Sequence, residues 1–112
     1  MIRYKVFIIP FLVISSCVNA GQIEGKIKEV NIRSGDGLIW IVVDGKKSNK
    51  PNCAENWDAM IIKNEKSIEG KQQLAALLSA QASNKTVSIF GSNECTRWSD
   101  GEDINLVRIN SN

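Results

Sequence analysis

Residues 85–109 read Lys85-Thr-Val-Ser-Ile-Phe-Gly91, then Ser92-Asn-Glu-Cys95-Thr-Arg97-Trp98-Ser-Asp100-Gly-Glu102-Asp103, then Ile104-Asn-Leu-Val-Arg-Ile109. Two alternating stretches flank a polar loop. Val87, Ile89 and Gly91 share one side of the first. In the second, Ile104, Leu106 and Arg108 share one register, with Val107 and Ile109 on the other. Alternation with period two marks half-buried strands, and Asp100-Gly101 offers a turn between them. The loop gathers a cysteine, an arginine, a tryptophan and the carboxylates Asp100, Glu102 and Asp103. The rest of the chain supplies a sheet and a helix for this hairpin to pack on.

Upstream, residues 69–83 are the one convincing helix. Leu74, Leu77, Leu78 and Gln81 recur at helical spacing among alanines, both strong helix formers. The leucine stripe is expected to pack on the core. Ser67 is the expected N-cap, and Asn84 suits a left-handed residue after the last turn. Three strands precede the helix. Residues 22–32 alternate, with Ile23, Gly25 and Ile27 on one register and Val30 and Ile32 on the other. That register change predicts a bulge or sharp bend. Ser34-Gly35-Asp36-Gly37 is a hairpin turn. Residues 38–44 are nearly all apolar and β-branched, as in a central strand covered on both faces, with Trp40 expected in the core. The loop from 46 to 52 carries Lys46, Lys47 and Lys50 and reads as solvated, with an anion-binding loop as the alternative. Residues 57–63 form the third strand, and Trp57 either caps the barrel end or stands exposed.

The order is strand, strand, strand, helix, strand, strand. That predicts a mainly β fold with one helix, a five-stranded Greek-key barrel of the OB-fold type, in a single domain over residues 21–112. Residues 1–20 read as a secretory leader: Arg3 and Lys5, an apolar run over 6–14 broken by Pro10, then Val18-Asn19-Ala20 before the cut. The run is too short for a membrane span of about 20 residues. Ile14-Ser15-Ser16-Cys17 offers an alternative, a lipoprotein anchored at Cys17. Either way the domain is exported, secreted or periplasmic. The remaining 92 residues carry 12 basic and 12 acidic side chains. Zero net charge argues against nucleic acid as a partner.

Cys53 and Cys95 survive leader removal. An even count in an exported domain predicts one disulfide between them. The chain has no histidine, which removes the usual base of a catalytic cysteine or serine and the commonest zinc ligand. Asp100, Glu102 and Asp103 do not follow a calcium-loop spacing, and three carboxylates on one turn do not make the opposed pair of a glycosidase. The chain is expected to be no enzyme and to need no cofactor or metal. Two expectations attach to the loop. In the first, Glu102 or Asp103 pairs with Arg97 and Trp98 covers the barrel mouth. In the second, Arg97, Trp98 and Asp100 form a ligand-binding set: Arg97 for a carboxylate, Trp98 for a sugar face, Asp100 for hydroxyls.

Two resemblances follow from these residues. Over residues 22–97 the chain resembles the B subunits of bacterial AB-type toxins, in the subtilase-cytotoxin and pertussis-like branch. The likeness rests on the bent strand Gln22-Ile23-Glu24-Gly25-Lys26-Ile27, on Cys53 ahead of the third strand, and on the helix-to-strand passage Ala82-Ser83-Asn84-Lys85-Thr86-Val87-Ser88-Ile89. More specifically, Cys95 to Ile104 is similar to a Cys-Thr-Arg-Trp-x-Asp-Gly-Glu-Asp-Ile segment of small secreted bacterial proteins. The toxin resemblance implies a homo-pentameric ring, a toxin A subunit as partner, and binding to sialylated host glycans. The family's glycan-contacting serine falls near Gly25, so no glycan-binding residue carries over. The expected function is a non-catalytic exported binding module, with a toxin-B-like glycan-binding subunit as its sharpest form. The alternative is a periplasmic structural or inhibitor-like protein whose partner is another exported protein.

Overall fold

A computed structural model describes residues 20–111. The expected leader up to residue 19, Cys17 included, lies outside the described residues. The elements are β1 (Gln22–Ile32), β2 (Ile39–Asp44), a one-turn 3-10 segment (Asn52–Ala54), β3 (Met60–Ile61), α1 (Ile68–Ala82), β4 (Thr86–Gly91) and β5 (Glu102–Ile109). The five strands close on themselves in the order β1-β2-β3-β5-β4. All pairings are antiparallel except β3 with β5.

Long β1 serves two neighbours. Its first half pairs with β4 and its second with β2, and Lys26 pairs with both, opposite Thr86 of β4 and Asp44 of β2. Between Ile27 and Glu29 the register with β2 shifts. Lys28 is the extra residue, and the bend it makes turns the strand from one partner to the other. Inward side chains change phase there: Ile23 and Ile27 are buried before it and Val30 packs on the core after it. A second shift lies between Phe90, paired with Leu106, and Gly91, paired with Ile104. Asn105 is the unpaired residue. The shift puts Ile104 and Val107 on the core side and leaves Leu106 exposed. The simple alternation read from the sequence therefore holds only to Ile104.

The core is aliphatic, built on Ile23, Ile41, Met60, Leu77, Val87 and Ile89. Helix α1 covers it by a narrower face than the leucine stripe suggested. Gly70, Leu77 and Ala80 are buried and Leu74 is half-buried, whereas Leu78 is 43% exposed and Gln81 faces solvent. A side chain at Gly70 would collide with the Asn64 carbonyl, so glycine lets the turn before α1 fold back onto the first turn of the helix. The Ser67 hydroxyl accepts from the Gly70 N–H at 2.9 Å, capping α1 as expected. Asn84 has φ 55°, and the Lys85 N–H closes onto the Ala80 carbonyl at 2.9 Å in a left-handed termination.

β3 is shorter than expected. Only Met60 and Ile61 pair, squeezed between β2 and β5. Trp57 lies before the strand, half-buried, its ring 6.3 Å from that of Trp40. Trp40 itself is half-buried on the outer face of β2, outside the core, whose inward residues are Ile39, Ile41 and Val43. The Cys53–Cys95 disulfide is present, with Cα atoms 6.2 Å apart and a separation of 42 residues. It ties the turn before β3 to the loop after β4. Such a bond belongs to an oxidising compartment. Among the described residues, no helix is long and apolar enough to cross a membrane.

Candidate functional site

Asp100, Glu102 and Asp103 in the 94–103 loop go to three different places. Gly101 separates Asp100 from β5, which starts at Glu102, so alternation sends the neighbours apart. Glu102 turns inward and is fully buried. Its Oε1 lies 2.9 Å from Lys47 Nζ, both side chains being sealed from solvent. Its Oε2 accepts from the Gly21 N–H at 3.0 Å and the Asn93 N–H at 2.9 Å. The backbone at Gly91 and Gly21 lies against this carboxylate so closely that a Cβ at either position would overlap it. Lys47 is therefore not part of a solvated basic loop. A buried carboxylate needs a compensating charge and donors for its lone pairs, and Lys47 with two backbone amides meets that need.

Asp103 is also fully buried, and it organises the loop. Its Oδ2 accepts from the Thr96 N–H at 3.1 Å and from the Thr96 hydroxyl, and its Oδ1 accepts from the Arg97 N–H at 3.2 Å. The Asp103 N–H donates to the Glu94 carbonyl at 2.8 Å. Neither Glu102 nor Asp103 pairs with the Arg97 guanidinium, contrary to the first expectation for this loop. Arg97 reaches across to Glu65, Nε to Oε2 at 3.2 Å and Nη2 to Oε1 at 3.1 Å, and Nη2 also donates to the Asp36 carbonyl at 2.9 Å. The hydrogen bonds from Arg97 hold the Glu65 carboxyl below its usual range, and Glu65 in turn raises Arg97. Arg97 is thus a strut between the loop, the β1–β2 turn and the segment before α1.

Asp100 alone of the three is exposed. It stands on a cleft of about 430 Å³ lined by Cys53, Asn56, Trp57, Trp98 and Asp100. The disulfide builds this cleft. Trp57 follows Cys53 by four residues and Trp98 follows Cys95 by three, so the bond brings two distant tryptophans together. Trp98 is fixed by a tight turn in which the Gly101 N–H donates to the Trp98 carbonyl at 3.3 Å. A side chain at Gly101 would collide with Ile61 and crowd the Trp57 ring, so glycine lets the turn sit down on both. The Arg33 guanidinium lies 5.0 Å from the Trp98 ring centroid, within cation–π range. Arg33 is itself bound to Asp36, Nη2 to Oδ2 at 2.6 Å and Nε to Oδ1 at 3.0 Å.

Comparison with protein-family models, with curated proteins and with solved structures finds no match. The site stands on its own geometry.

Of the three expected ligand-binding residues, Trp98 and Asp100 share the cleft and Arg97 is engaged elsewhere. Trp57 and Asn56 complete it. The spacing of each tryptophan from its half-cystine was the available signal for Trp57. Asn56 carried none. Among the described residues, no group of three metal-ligating side chains could hold an ion; Asp100, Glu102 and Asp103 are adjacent in sequence but point apart. Near β1, a side chain at Gly25 would collide with the Asp44 carbonyl, so this position has no room for the serine of the toxin B subunits.

Proposed function

We propose that the chain is an exported, non-catalytic binding module built as an OB-fold, and that its ligand is a carbohydrate held in the Trp57–Trp98 cleft. The observation that carries this is the lining itself. Two half-buried indoles stand beside a solvent-facing carboxylate and the amide of Asn56. Indole faces stack on the apolar C–H faces of sugar rings, and a carboxylate with an amide accepts and donates to their hydroxyls. The volume lies within the range of roughly 300–1,000 Å³ typical of small-molecule sites.

Binding without catalysis is favoured by the same lining. It contains a single carboxylate, where glycoside hydrolysis uses two across the scissile bond. Its cysteine is held in the disulfide and is no nucleophile. Export is supported by that disulfide and by the leader-like start of the chain. The strand order, with β3 parallel to β5, supports the OB-fold.

The test is a screen of the mature, oxidised domain against a broad glycan panel, run beside Trp98→Ala and Asp100→Asn. Retention of a defined glycan set by the parent, lost in both variants with folding intact, supports the proposal. Absence of any glycan binding refutes it. The pentameric ring implied by the toxin resemblance is tested separately by light scattering. A mass of five subunits supports it, and a monomer removes the ring and leaves the cleft.

A further inference from the structure

Resting on the carbohydrate reading above, we infer that the cleft selects an uncharged sugar unit and discriminates against sialylated or otherwise anionic glycans. The argument is a census of charge around the two tryptophans. No cation lines the cleft, and four of those on neighbouring elements are already paired within the chain. Arg97 is held by both oxygens of Glu65 and by the Asp36 carbonyl. Arg33 is held by both oxygens of Asp36. Lys50 lies 2.6 Å from Asp58, and Lys47 is buried on Glu102.

Asp100, by contrast, has no ion-pair partner among the described residues, and it is the one charged residue lining the cleft. A ligand carboxylate would meet a fixed negative charge, and the two arginines nearest the loop, Arg33 over Trp98 and Arg97, are already engaged by Asp36 and Glu65. Breaking the Arg97 pair leaves the half-buried Glu65 without its partner. A neutral ring meets no such obstacle. Its vicinal hydroxyls donate to Asp100, its ring oxygens and acetamido groups accept from Asn56, and its C–H face lies on an indole. Specificity here comes from an introduced repulsion as much as from attraction.

This reading moves Arg97 from ligand contact to positioning residue. It holds the loop that presents Trp98, and its loss should disturb affinity for neutral sugars by displacing that loop, not by removing a ligand contact.

The experiment uses titration calorimetry on the mature, oxidised domain with matched oligosaccharides, taken from the panel, that differ only in a terminal sialic acid. The expected result is binding of the neutral member and at least about tenfold weaker binding of the sialylated one. The neutral affinity should be nearly independent of salt, and Asp100→Asn should narrow the gap between the pair. Tighter binding of the sialylated member, weakening as salt rises and abolished in Arg97→Lys with the fold retained by circular dichroism, would overturn this inference and leave the carbohydrate reading standing. Failure of both members, together with an empty panel, would overturn both.

Discussion

Asp100 and Glu102 are two residues apart, carry the same charge and have opposite surroundings. Glu102 is sealed inside with Lys47 and two backbone amides, whereas Asp100 looks onto an open cleft between tryptophans. The buried carboxylate has its countercharge and two amide donors supplied by the chain and is committed to the fold. The exposed one has its lone pairs open to a ligand. The difference teaches that density of polar residues in a loop does not locate a site. What locates it is which of them the fold leaves uncommitted.

The largest effect should come from breaking the inner pair. Lys47→Ala strands a buried carboxylate and is expected to cost about 3–5 kcal/mol, read as a lower midpoint in urea denaturation. Glu102→Ala should be comparably damaging, since it leaves the Gly21 and Asn93 amides and the Lys47 ammonium without their acceptor. A mild response to Lys47→Ala would mean that the pair is not as enclosed as its geometry indicates.

Next is the disulfide. Closing a loop of 42 residues is worth about 4 kcal/mol in the chain-entropy account. The double variant Cys53→Ala/Cys95→Ala should lose about that much in thermal and urea unfolding. It should also loosen the Trp57–Trp98 cleft, visible as a red-shifted tryptophan emission under conditions where the domain remains folded.

A smaller effect is expected at the Glu65–Arg97 strut, which is partly solvated. Glu65→Gln should cost about 0.5–1 kcal/mol. Folding lowers the pKa of Glu65 from its ordinary 4.5 because Arg97 donates to it. The pair's contribution is therefore complete above that ordinary value and is lost as pH falls through the lowered one. An NMR titration of the Glu65 carboxyl should show its midpoint below the ordinary value in the parent and returned towards it in Arg97→Gln. The smallest stability change belongs to Asp100→Ala, within about 0.5 kcal/mol of the parent, although this variant should lose sugar binding. A large destabilisation there would erase the contrast with Glu102.

Much of the fold was legible because it rests on local signals. The alternation of β1 and β4, the register change expected near Glu29 and Val30 and found at Lys28, the Ser67 cap and the Asn84 termination are each written within a few residues. The disulfide followed from counting cysteines. The buried ion pair was not legible, because Lys47 and Glu102 lie 55 positions apart and each sits among polar neighbours that look solvated. The start of β5 was missed for the same reason, since two acidic residues at its head break the apolar pattern that marks a strand. Leu78 was placed inward by spacing alone, but the buried face of α1 is Gly70, Leu77 and Ala80, narrower than the leucine stripe. At the candidate site, Trp98 and Asp100, singled out by their chemistry, lie on one cleft. The engagement of Arg97 by Glu65 was not legible, because Glu65 is 32 residues away and nothing local announces it.

The most direct test of the cleft as a sugar site follows the indole N–H signals of the three tryptophans, Trp40, Trp57 and Trp98, in a two-dimensional NMR titration with a neutral oligosaccharide from the panel. The expected result is saturable movement of the Trp57 and Trp98 signals at one common affinity, with Trp40 moving less. Unmoved Trp57 and Trp98 signals at saturating ligand would contradict the cleft as the binding site.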